Sequence, residues 1–398
     1  MHTRLSNAFE NRLRCVPALR CHPLLFVLCV LAQPTVYSLV NYGRDAQSQA
    51  RNESVDGEEL VKLNRYEGNP ILSPNTNNWW EDLAVFNPAA WYDRNSGCVY
   101  MLYRAAESHP EYKCYFGLAT SSDGYRFERV SDEPVLSPSV DGFDASTIQD
   151  PRMIKIGDWY YITYAARFYP WGQFWTSDEQ RYKWPVSPPD FPRYLRNNAT
   201  STGLALTRNF KQWIRVGRLT DPLLDDRDVI LFPEKVGGKY VMMHRPLEWV
   251  GPRYGTEYAS VWISMADDLM GFRKSELLIK QKFGWEANKI GINTPPIKTE
   301  HGWLTIYHAV GEDKFYRLGA LLLDLEDPRN VTHRTTEWIM QPEADYEING
   351  YYRGCVFPCG KVVIGDTLFV YYGAGDKYVA LATCPLQELI EYLLSCPA

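Results

Sequence analysis

Short apolar stretches recur along most of the chain, and aromatic residues are concentrated in them. The stretches have the length of strands rather than of helices. They group into a repeated unit, in which an aromatic-rich strand, a short loop and a strand of small and aliphatic residues follow one another. The first copy has its two strands at Val99–Arg104 and Phe116–Asp123. Four further copies have aromatic strands that begin at Trp159, Tyr240, Trp303 and Leu368.

Five copies of one unit, spaced by about 60 residues, are typical of radial repetition. A single unit cannot bury both of its faces, whereas sheets packed around an axis cover one another and leave only short edges. The pattern therefore predicts an all-β fold, a five-bladed β-propeller over residues 61–398. Two stacked sandwiches are the alternative architecture. The clearest helical periodicity lies at Pro385–Cys396, which we expect to pack across the final blade.

Residues 1–40 have the pattern of a targeting segment, with several arginines before an apolar run at Leu24–Ala32. This run is shorter than the roughly 20 apolar residues of a membrane span, and it fits the core of a signal peptide. Because apolar residues resume after Pro34, a type II signal anchor in a membrane is the competing interpretation, and an ordinary buried helix is a third. Residues 41–60 are polar and are predicted to form a linker.

The leader predicts the secretory pathway, with a secreted, lumenal or membrane-anchored product, and a cytoplasmic location is the alternative. Three N-x-S/T sites, at Asn52, Asn198 and Asn330, fit a glycoprotein of that route. Six cysteines follow the leader, and an even number permits disulfides without indicating which cysteines pair. Cys355 and Cys359 have no further ligand at zinc-like spacing, so we expect a structural role for them.

Composition narrows the classes of function. The 48 acidic residues outnumber the 42 basic ones, and the net charge of −6 argues against general nucleic-acid binding. Aromatic residues make up 14% of the chain. Strands favour aromatic residues and ligand clefts are lined by them, so this content is expected to divide between blade cores and a sugar-binding cleft.

Charged residues near the axis of a propeller are costly to desolvate unless they serve a ligand. Several copies of the repeat place an Arg, His or Asp just after the aromatic strand, where inner strands are expected to end near a central pocket. Taken singly, each such residue is typical of a turn or a solvated rim, but the recurrence at one position indicates a site. The candidates are Asn87, Arg104, Asp150, Arg152, Arg227, Arg245, Lys289 and Asp376.

The segments around these candidates form a joint pattern that is specific, although no single piece is. It consists of Asn87-Pro88, Gln149-Asp150-Pro151-Arg152, Leu231-Phe232-Pro233-Glu234-Lys235, His244-Arg245-Pro246, Pro295-Pro296-Ile297-Lys298-Thr299 and Tyr371-Tyr372-Gly373-Ala374-Gly375-Asp376. With this pattern, the chain from Asn64 to Leu394 resembles glycoside hydrolase family 130, the mannoside phosphorylases. The resemblance implies a five-bladed propeller, which agrees with the repeat.

The resemblance also implies a reaction, that of β-1,4-mannosyl-sugar phosphorylases and their relatives. Inorganic phosphate cleaves a β-mannoside oligosaccharide and gives α-mannose 1-phosphate with inversion. Asp150 matches the family's catalytic acid, and the resemblance implies that this acid protonates the leaving oxygen through a hydroxyl of the bound mannose. Because phosphate is the nucleophile, the second carboxylate of an inverting glycosidase is not needed. Phosphate is then a co-substrate, and no cofactor or metal is implied.

Further roles follow from the same match. Arg227, Arg245 and Lys289 correspond to the phosphate-binding residues, and a dianion is well served by such charge-assisted donors. The residues that match substrate-binding positions are Asn87, Arg104, Arg152, His244, Tyr316 and Asp376. The leaving sugar, its linkage and the oligomeric state stay open.

Two alternatives remain at this point. Some family members hydrolyse mannosides and lack the phosphate-binding cations, so the retained Arg227, Arg245 and Lys289 favour phosphorolysis. A sugar-binding propeller without catalysis would not need Asp150. The long Phe168–Thr200 segment inside the second repeat is rich in aromatic residues and prolines, and we expect it to wall the site of the leaving sugar.

Overall fold

The computed structural model describes residues 60–170 and 198–398. The leader, most of the linker and most of the Phe168–Thr200 insertion lie outside the described residues. Within those two ranges, no helix is both long enough and apolar enough to span a membrane.

The described chain forms five antiparallel sheets, which are the five blades that the repeat predicts. The first strand is β1 (Asn64–Arg65). Blade 1 contains β2 (Ala84–Asp93), β3 (Cys98–Ala106), β4 (Cys114–Ser121) and β5 (Glu128–Arg129). Blade 2 contains β6 (Thr147–Ile156), β7 (Trp159–Arg167), β8 (Ser201–Thr207) and β9 (Trp213–Arg218). Blade 3 contains β10 (Asp226–Leu231), β11 (Tyr240–Pro246), β12 (Val261–Ala266) and β13 (Ser275–Ile279).

The remaining blades complete the ring. Blade 4 follows a 3-10 turn at Gly284–Glu286 and contains β14 (Lys289–Ile292), β15 (Ile297–Thr299), β16 (Gly302–Val310), β17 (Tyr316–Leu323) and β18 (Val331–Arg334). A short helix, α1 (Asp345–Ile348), precedes blade 5, which contains β19 (Val356–Ile364), β20 (Thr367–Ala374) and β21 (Tyr378–Pro385). The chain then enters helix α2 (Leu386–Leu394).

Both ends of the described chain meet at blade 5. Strand β1 pairs with β21, with Asn64 opposite Thr383, so the N-terminal segment supplies the outermost strand of the last blade. Helix α2 buries Leu389 and Leu393 in one cluster with Leu318 of blade 4 and Leu368 of blade 5. The helix predicted at Pro385–Cys396 is therefore present, and it covers the last blade together with its neighbour.

A buried contact shared by four blades explains the aromatic residues of the repeat. In blade 1, Tyr103 lies opposite Gly117, and its hydroxyl donates to Glu81 at 3.0 Å. Glu81 also binds Arg129 of the outermost strand at 2.9 Å, so the buried carboxylate is paired. We call this the tyrosine–carboxylate–arginine contact. It recurs with Tyr164, Asp144 and Arg215, with Tyr307, Glu286 and Arg334, and with Tyr372, Glu347 and Arg65.

The innermost strands share an irregularity that positions the polar candidates. The strand register shifts between Phe86 and Ala89 in β2, and shifts at the corresponding level occur in β6, β10 and β19. In three of these bulges a polar residue has a positive φ: Asn87 at 47°, Asp150 at 50° and Asp228 at 56°. Asn and Asp tolerate this region better than other residues with a side chain, and bulges redirect side chains. Neighbouring blades thereby present polar groups at one level near the axis.

The described residues include the predicted glycosylation site at Asn198 and the six cysteines that follow the leader. The Asn198 side chain is 1% exposed, and its amide nitrogen donates to the Tyr169 carbonyl at 3.0 Å. The amide is therefore not accessible in this conformation, and glycosylation at this site stays a prediction. The six cysteines that follow the leader are all free thiols.

Candidate active site

A cavity of about 220 Å³ lies where the bulged inner strands approach one another. It brings together residues from all five blades, although these residues lie far apart in the sequence, from Asn87 to Asp376. Eight of the residues predicted from the sequence line it: Asn87, Arg104, Asp150, Arg227, Arg245, Lys289, Tyr316 and Asp376. Lys289 and Asp376 lie at or beside strand ends, as the sequence suggested, whereas Asn87 and Asp150 lie within β2 and β6.

Asp150 is held by two donors from blade 1. Its Oδ1 accepts from Arg104 Nη1 at 2.9 Å and from Asn87 Nδ2 at 2.8 Å. Both bonds go to the same oxygen, and no residue of the described ranges donates to Oδ2. Arg104 is itself fixed, with its guanidinium carbon 4.3 Å from the centre of the Phe86 ring. The carboxyl group is thus oriented by its neighbours while one oxygen stays open toward the cavity.

Asn87 carries an acceptor that the described residues leave unused. Its Oδ1 is buried, yet it accepts no hydrogen bond from them. Gly373 of β20 gives this amide its room, because a Cβ at that position would lie 1.9 Å from Asn87 Oδ1. A buried acceptor without a partner is costly, and a ligand hydroxyl in the cavity would satisfy it.

Asp376 follows β20 with a φ of 54°, and its carboxyl faces the same cavity. Burial raises the pKa of Asp376 to about 6, against the opposing charge of Arg104 and with a further contribution from Asp150. The Cys355 thiol lies 3.7 Å from Asp376 Oδ1. Cys355, expected to be structural, therefore forms part of the cavity wall.

Two arginines of blade 3 reach the other side of the cavity, and each forms an ion pair with a different carboxylate. Arg227 makes two parallel bonds to Asp225, both 2.8 Å long. Arg245 binds Asp228 through Nε at 2.7 Å. These ion pairs fix the direction of both guanidinium groups, and each group keeps further N–H donors for a ligand.

Lys289, the first residue of β14, completes this cationic side. Its ammonium group donates to the Tyr316 hydroxyl at 2.6 Å, and in the described part of the chain it has no carboxylate within ion-pair distance. Burial, together with the charges of Arg245 and Arg227, lowers the pKa of Lys289 to about 7. Each arginine keeps one carboxylate partner, so the ammonium group of Lys289 is the charge at this wall that no anion of the described residues matches, and the wall favours an anionic ligand.

Asp228 lies beneath these cations, and the sequence did not predict it. It binds Arg152 at 3.2 Å and Arg245 at 2.7 Å, and it is 3% exposed. Burial alone would raise the pKa of Asp228. The charges of Arg245, His308 and Arg152 outweigh this effect and hold the pKa below its usual range. Gly291 lets these groups meet, because a Cβ there would lie 2.3 Å from Asp228 Oδ2.

His308 is a second residue that the prediction missed. Its Nδ1 bonds to Asn293 Oδ1 at 2.8 Å, and since an amide oxygen only accepts, Nδ1 carries the proton. Burial lowers the pKa of His308 well below its usual range, so the ring is neutral. Nε2 is then an acceptor that no described residue satisfies. His308 holds the same place in its repeat as Arg104 and Arg245 do in theirs, and this equivalence was the available signal.

Two predicted substrate-binding residues do not line the cavity. Arg152 is 3% exposed and donates to Asp228 and to the Asp150 carbonyl, so it supports the wall from behind. His244 points away from the cavity and bonds to Asp226 at 2.7 Å. The structure therefore does not bring His244 to the site that the sequence assigned to it. Further lining residues without a prediction are Gln149, Arg167, Tyr352 and Phe357.

Comparisons with known proteins agree with this arrangement. A family model described as beta-1,4-mannooligosaccharide phosphorylase matches residues 51–175 and 194–394. The 1,2-beta-oligomannan phosphorylase of Thermoanaerobacter sp. (strain X514) is 36% identical over 83% of this chain and 99% of that protein. The Beta-1,2-mannobiose phosphorylase of the same organism is 35% identical over 83% and 99%.

A solved structure is similar over the whole propeller. The Beta-1,2-Mannobiose phosphorylase from Listeria innocua, in complex with beta-1,2-mannobiose, superposes with a TM-score of 0.69 at 28% identity. The match covers 84% of this chain and 100% of that chain. On the extent of the family match and of these relatives, the chain belongs to glycoside hydrolase family 130, the mannoside phosphorylases that its motifs resemble.

Proposed function

We propose that this protein is an inverting β-mannoside phosphorylase that uses the central cavity as its active site. The observation that carries the proposal is the division of the cavity into two sides. Asp150, Asn87, Arg104 and Asp376 offer oriented hydrogen-bonding groups for a sugar, and the cations of Arg227, Arg245 and Lys289 stand together for an anion. An enzyme that joins phosphate to a sugar needs both sides in one cavity.

In the proposed reaction, an oxygen of phosphate attacks the anomeric carbon of the mannosyl unit. The glycosidic bond from that carbon to the leaving sugar breaks, and a carbon–oxygen bond to phosphate replaces it. Asp150 gives up its proton, which reaches the leaving oxygen through a hydroxyl of the mannose. Attack from the face opposite the leaving group turns the β-linkage into α-mannose 1-phosphate.

The carboxylates beside the cations argue against hydrolysis. A hydrolase of inverting type needs a carboxylate that activates water. Asp225 is engaged by Arg227, and Asp228 is engaged by Arg152 and Arg245. Both act as counter-ions that orient the guanidinium groups, and neither is left as a base toward the cavity.

The comparisons also support a linkage. The two relatives at 35–36% identity are named for β-1,2-linked mannosides, while the matching family model is described by β-1,4-linked ones. We propose β-1,2-linked oligomannosides as the substrate. The test is to incubate the protein with phosphate and either β-1,2- or β-1,4-mannobiose and to quantify mannose 1-phosphate. Faster release from the β-1,2-linked disaccharide is expected, and release only from the β-1,4-linked one would overturn the linkage.

Two further proposals rest on the sequence. The Phe168–Thr200 insertion begins directly after Arg167, which lines the cavity, and this supports a role in selecting the leaving sugar. Deleting Gln173–Pro192 should change the acceptor profile of the reverse reaction but not the affinity for phosphate.

The leader supports entry into the secretory pathway, which protease protection of the full chain in microsomes would test.

A further inference from the structure

Blade 3 keeps a carboxylate, Asp226, in the tyrosine–carboxylate–arginine contact but differs from the other four blades at the tyrosine and arginine positions. His244 of β11 stands where the others have tyrosine. The residue opposite on the third strand is Trp262, whereas the other blades have Gly117, Gly203, Gly319 and Ala380. On the outermost strand, Ser275 takes the place of the arginine. His244 bonds to Asp226 through Nδ1 at 2.7 Å and to Ser275 Oγ through Nε2 at 2.8 Å.

The Asp226–His244–Ser275 arrangement has the order of a serine hydrolase triad. Its positions, however, are those of a buried structural contact in every other blade. The repeat therefore explains why these three groups are together, and their effect is to hold Asp226 in one orientation.

A cavity of about 490 Å³ opens between blade 3 and the Arg218–Leu224 segment, which begins at the last residue of β9. It is more than twice the volume of the central cavity, about 220 Å³, and within the range of roughly 300–1,000 Å³ typical of ligand pockets. Asp226 and Arg227 are successive residues of β10, so their side chains point to opposite sides: Asp226 to this cavity and Arg227 to the central one.

Polar groups in this cavity are left without partners by the described residues. Asp226 is 2% exposed, and its Oδ1 accepts no hydrogen bond from them although Oδ2 is bonded to His244. Arg218 Nη1 is likewise buried and donates to none of them. One group is an acceptor and the other a donor, so a ligand that both donates and accepts would satisfy the two together.

The charge and the walls of the cavity indicate the class of ligand. Arg218 and Arg273 balance Asp221 and Asp226, so the lining has no excess charge that would select an ion. Two aromatic residues give the cavity an apolar part, Phe272 and Trp249, and Trp249 is fixed by stacking on Tyr254 at 5.8 Å. A pyranose ring combines hydroxyls that donate and accept with apolar C–H faces, and it fits this lining.

We propose that the cavity between blades 2 and 3 is a second carbohydrate-binding site, which takes a neutral pyranose such as a mannosyl unit. The pyranose class follows from the cavity itself, whereas mannose as the sugar rests on the proposed function. Asp226 and Arg218 bind the hydroxyls, Trp249 and Phe272 contact the ring, and His244 positions Asp226.

Two methionines of the lining, Met242 and Met270, give a direct test. The full chain with 13C-labelled methionine methyl groups is titrated with β-1,2-mannobiose in the absence of phosphate. We expect saturable shifts of the Met242 and Met270 signals, whereas the signals of Met101 in blade 1 and of Met340, which pairs with Leu318 of blade 4, should stay unchanged. Absence of a saturable shift at Met242 and Met270 would overturn the proposal, and so would water alone filling the cavity in a crystal soaked with the disaccharide.

Matched variants separate this site from the central one. Leu224 lines the cavity, whereas Leu223 beside it is 65% exposed and does not. Leu224→Trp, which fills the cavity, and Arg218→Gln should abolish the shifts, and Leu223→Trp should keep them. Retention of the shifts in both Leu224→Trp and Arg218→Gln would also refute the site.

Release of mannose 1-phosphate from the same preparations tells the two proposals apart. Normal release without methyl shifts would sink the second site alone. Methyl shifts without any release would instead count against the proposed function and leave the second site in place.

Discussion

The two sides of the central cavity satisfy their charges in opposite ways. On the sugar side, Asp150, Asn87 and Arg104 bond to one another across blades 1 and 2. On the cationic side, each arginine has a carboxylate, but Lys289 has only the Tyr316 hydroxyl. On the sugar side the charge of Asp150 is matched by Arg104 as folded, whereas the cationic side gains its missing charge from a ligand.

Because of this difference, binding of the sugar and binding of phosphate have different energetic requirements. Groups that are already oriented need no rearrangement when the sugar binds, which is the condition for effective acid catalysis. A buried ammonium group without an anion is unfavourable. The lowered pKa of Lys289 has this cause, since burial and the charges of Arg245 and Arg227 disfavour its charged form. A phosphate dianion bound there should offset this effect, so sugar and phosphate are expected to depend on different residues.

The largest expected effect is on the sugar side. Asp150→Asn keeps the shape of the side chain but removes the acid, and general acids contribute typically about 10²–10⁴-fold to the rate. We expect a loss of turnover in that range, with an unchanged melting temperature. Asp158→Asn, at an exposed turn between β6 and β7, is the matched control. An Asp150→Asn enzyme within tenfold of the parent would remove Asp150 from its role.

The next effect should fall on phosphate alone. Lys289→Met removes an ammonium group from the anion site, and hydrogen bonds to charged groups are worth about 1.5–3 kcal/mol, or roughly 10–100-fold. The KM for phosphate should rise by that factor while the KM for the mannoside changes little. Lys298→Met, which alters an exposed ion pair with Glu234, should leave both constants alone. Equal increases in both constants would break the division between the two sides.

A smaller effect is expected from crowding the sugar side. An alanine Cβ at Gly373 would lie 1.9 Å from Asn87 Oδ1, so the amide must move away from Asp150. Gly373→Ala should raise the KM for the mannoside by roughly tenfold, about the value of one hydrogen bond, with the phosphate KM unaffected. Gly284→Ala, where a Cβ would meet nothing within 4 Å, is the control. A wild-type mannoside KM would show that Asn87 does not hold the sugar.

The smallest effect concerns pH. Because the pKa of Lys289 is about 7, the free enzyme loses this positive charge as pH rises through 7. Sulfate stays a dianion over this range, so its inhibition constant against phosphate should increase several-fold between pH 6 and 8. Lys289→Arg, which keeps its charge, should show a flatter profile. A pH-independent constant in the parent enzyme would contradict the assignment of Lys289.

The fold could be predicted from the sequence because the aromatic strand of four blades carries the tyrosine of a recurring buried contact. Tyr103 over Gly117, with its carboxylate and arginine, recurs at a regular spacing and marks the second and third strands. The innermost strands are less regular. Their bulges determine which side chains face the cavity, and therefore which of the predicted site residues line it.

Strand alternation alone would send Arg227 and Asp228 to opposite faces. The register shift between Arg227 and Ile230 instead brings both to the cavity, and for that reason Asp228 was missed. The shift between Gln149 and Arg152 has the reverse effect, since Asp150 faces the cavity and Arg152 lies behind it. His244 was misplaced because it occupies the tyrosine position of its blade, which in this fold faces a neighbouring blade.

The central question is whether phosphate or water attacks the mannosyl carbon. The reaction is run on β-1,2-mannobiose in H₂¹⁸O with unlabelled phosphate, and the products are followed by 31P NMR and mass spectrometry. Phosphorolysis predicts one α-mannose 1-phosphate for each bond cleaved, one unlabelled mannose as leaving sugar and no cleavage when phosphate is omitted. Mannose carrying ¹⁸O at its anomeric carbon, formed at the same rate without phosphate, would contradict it.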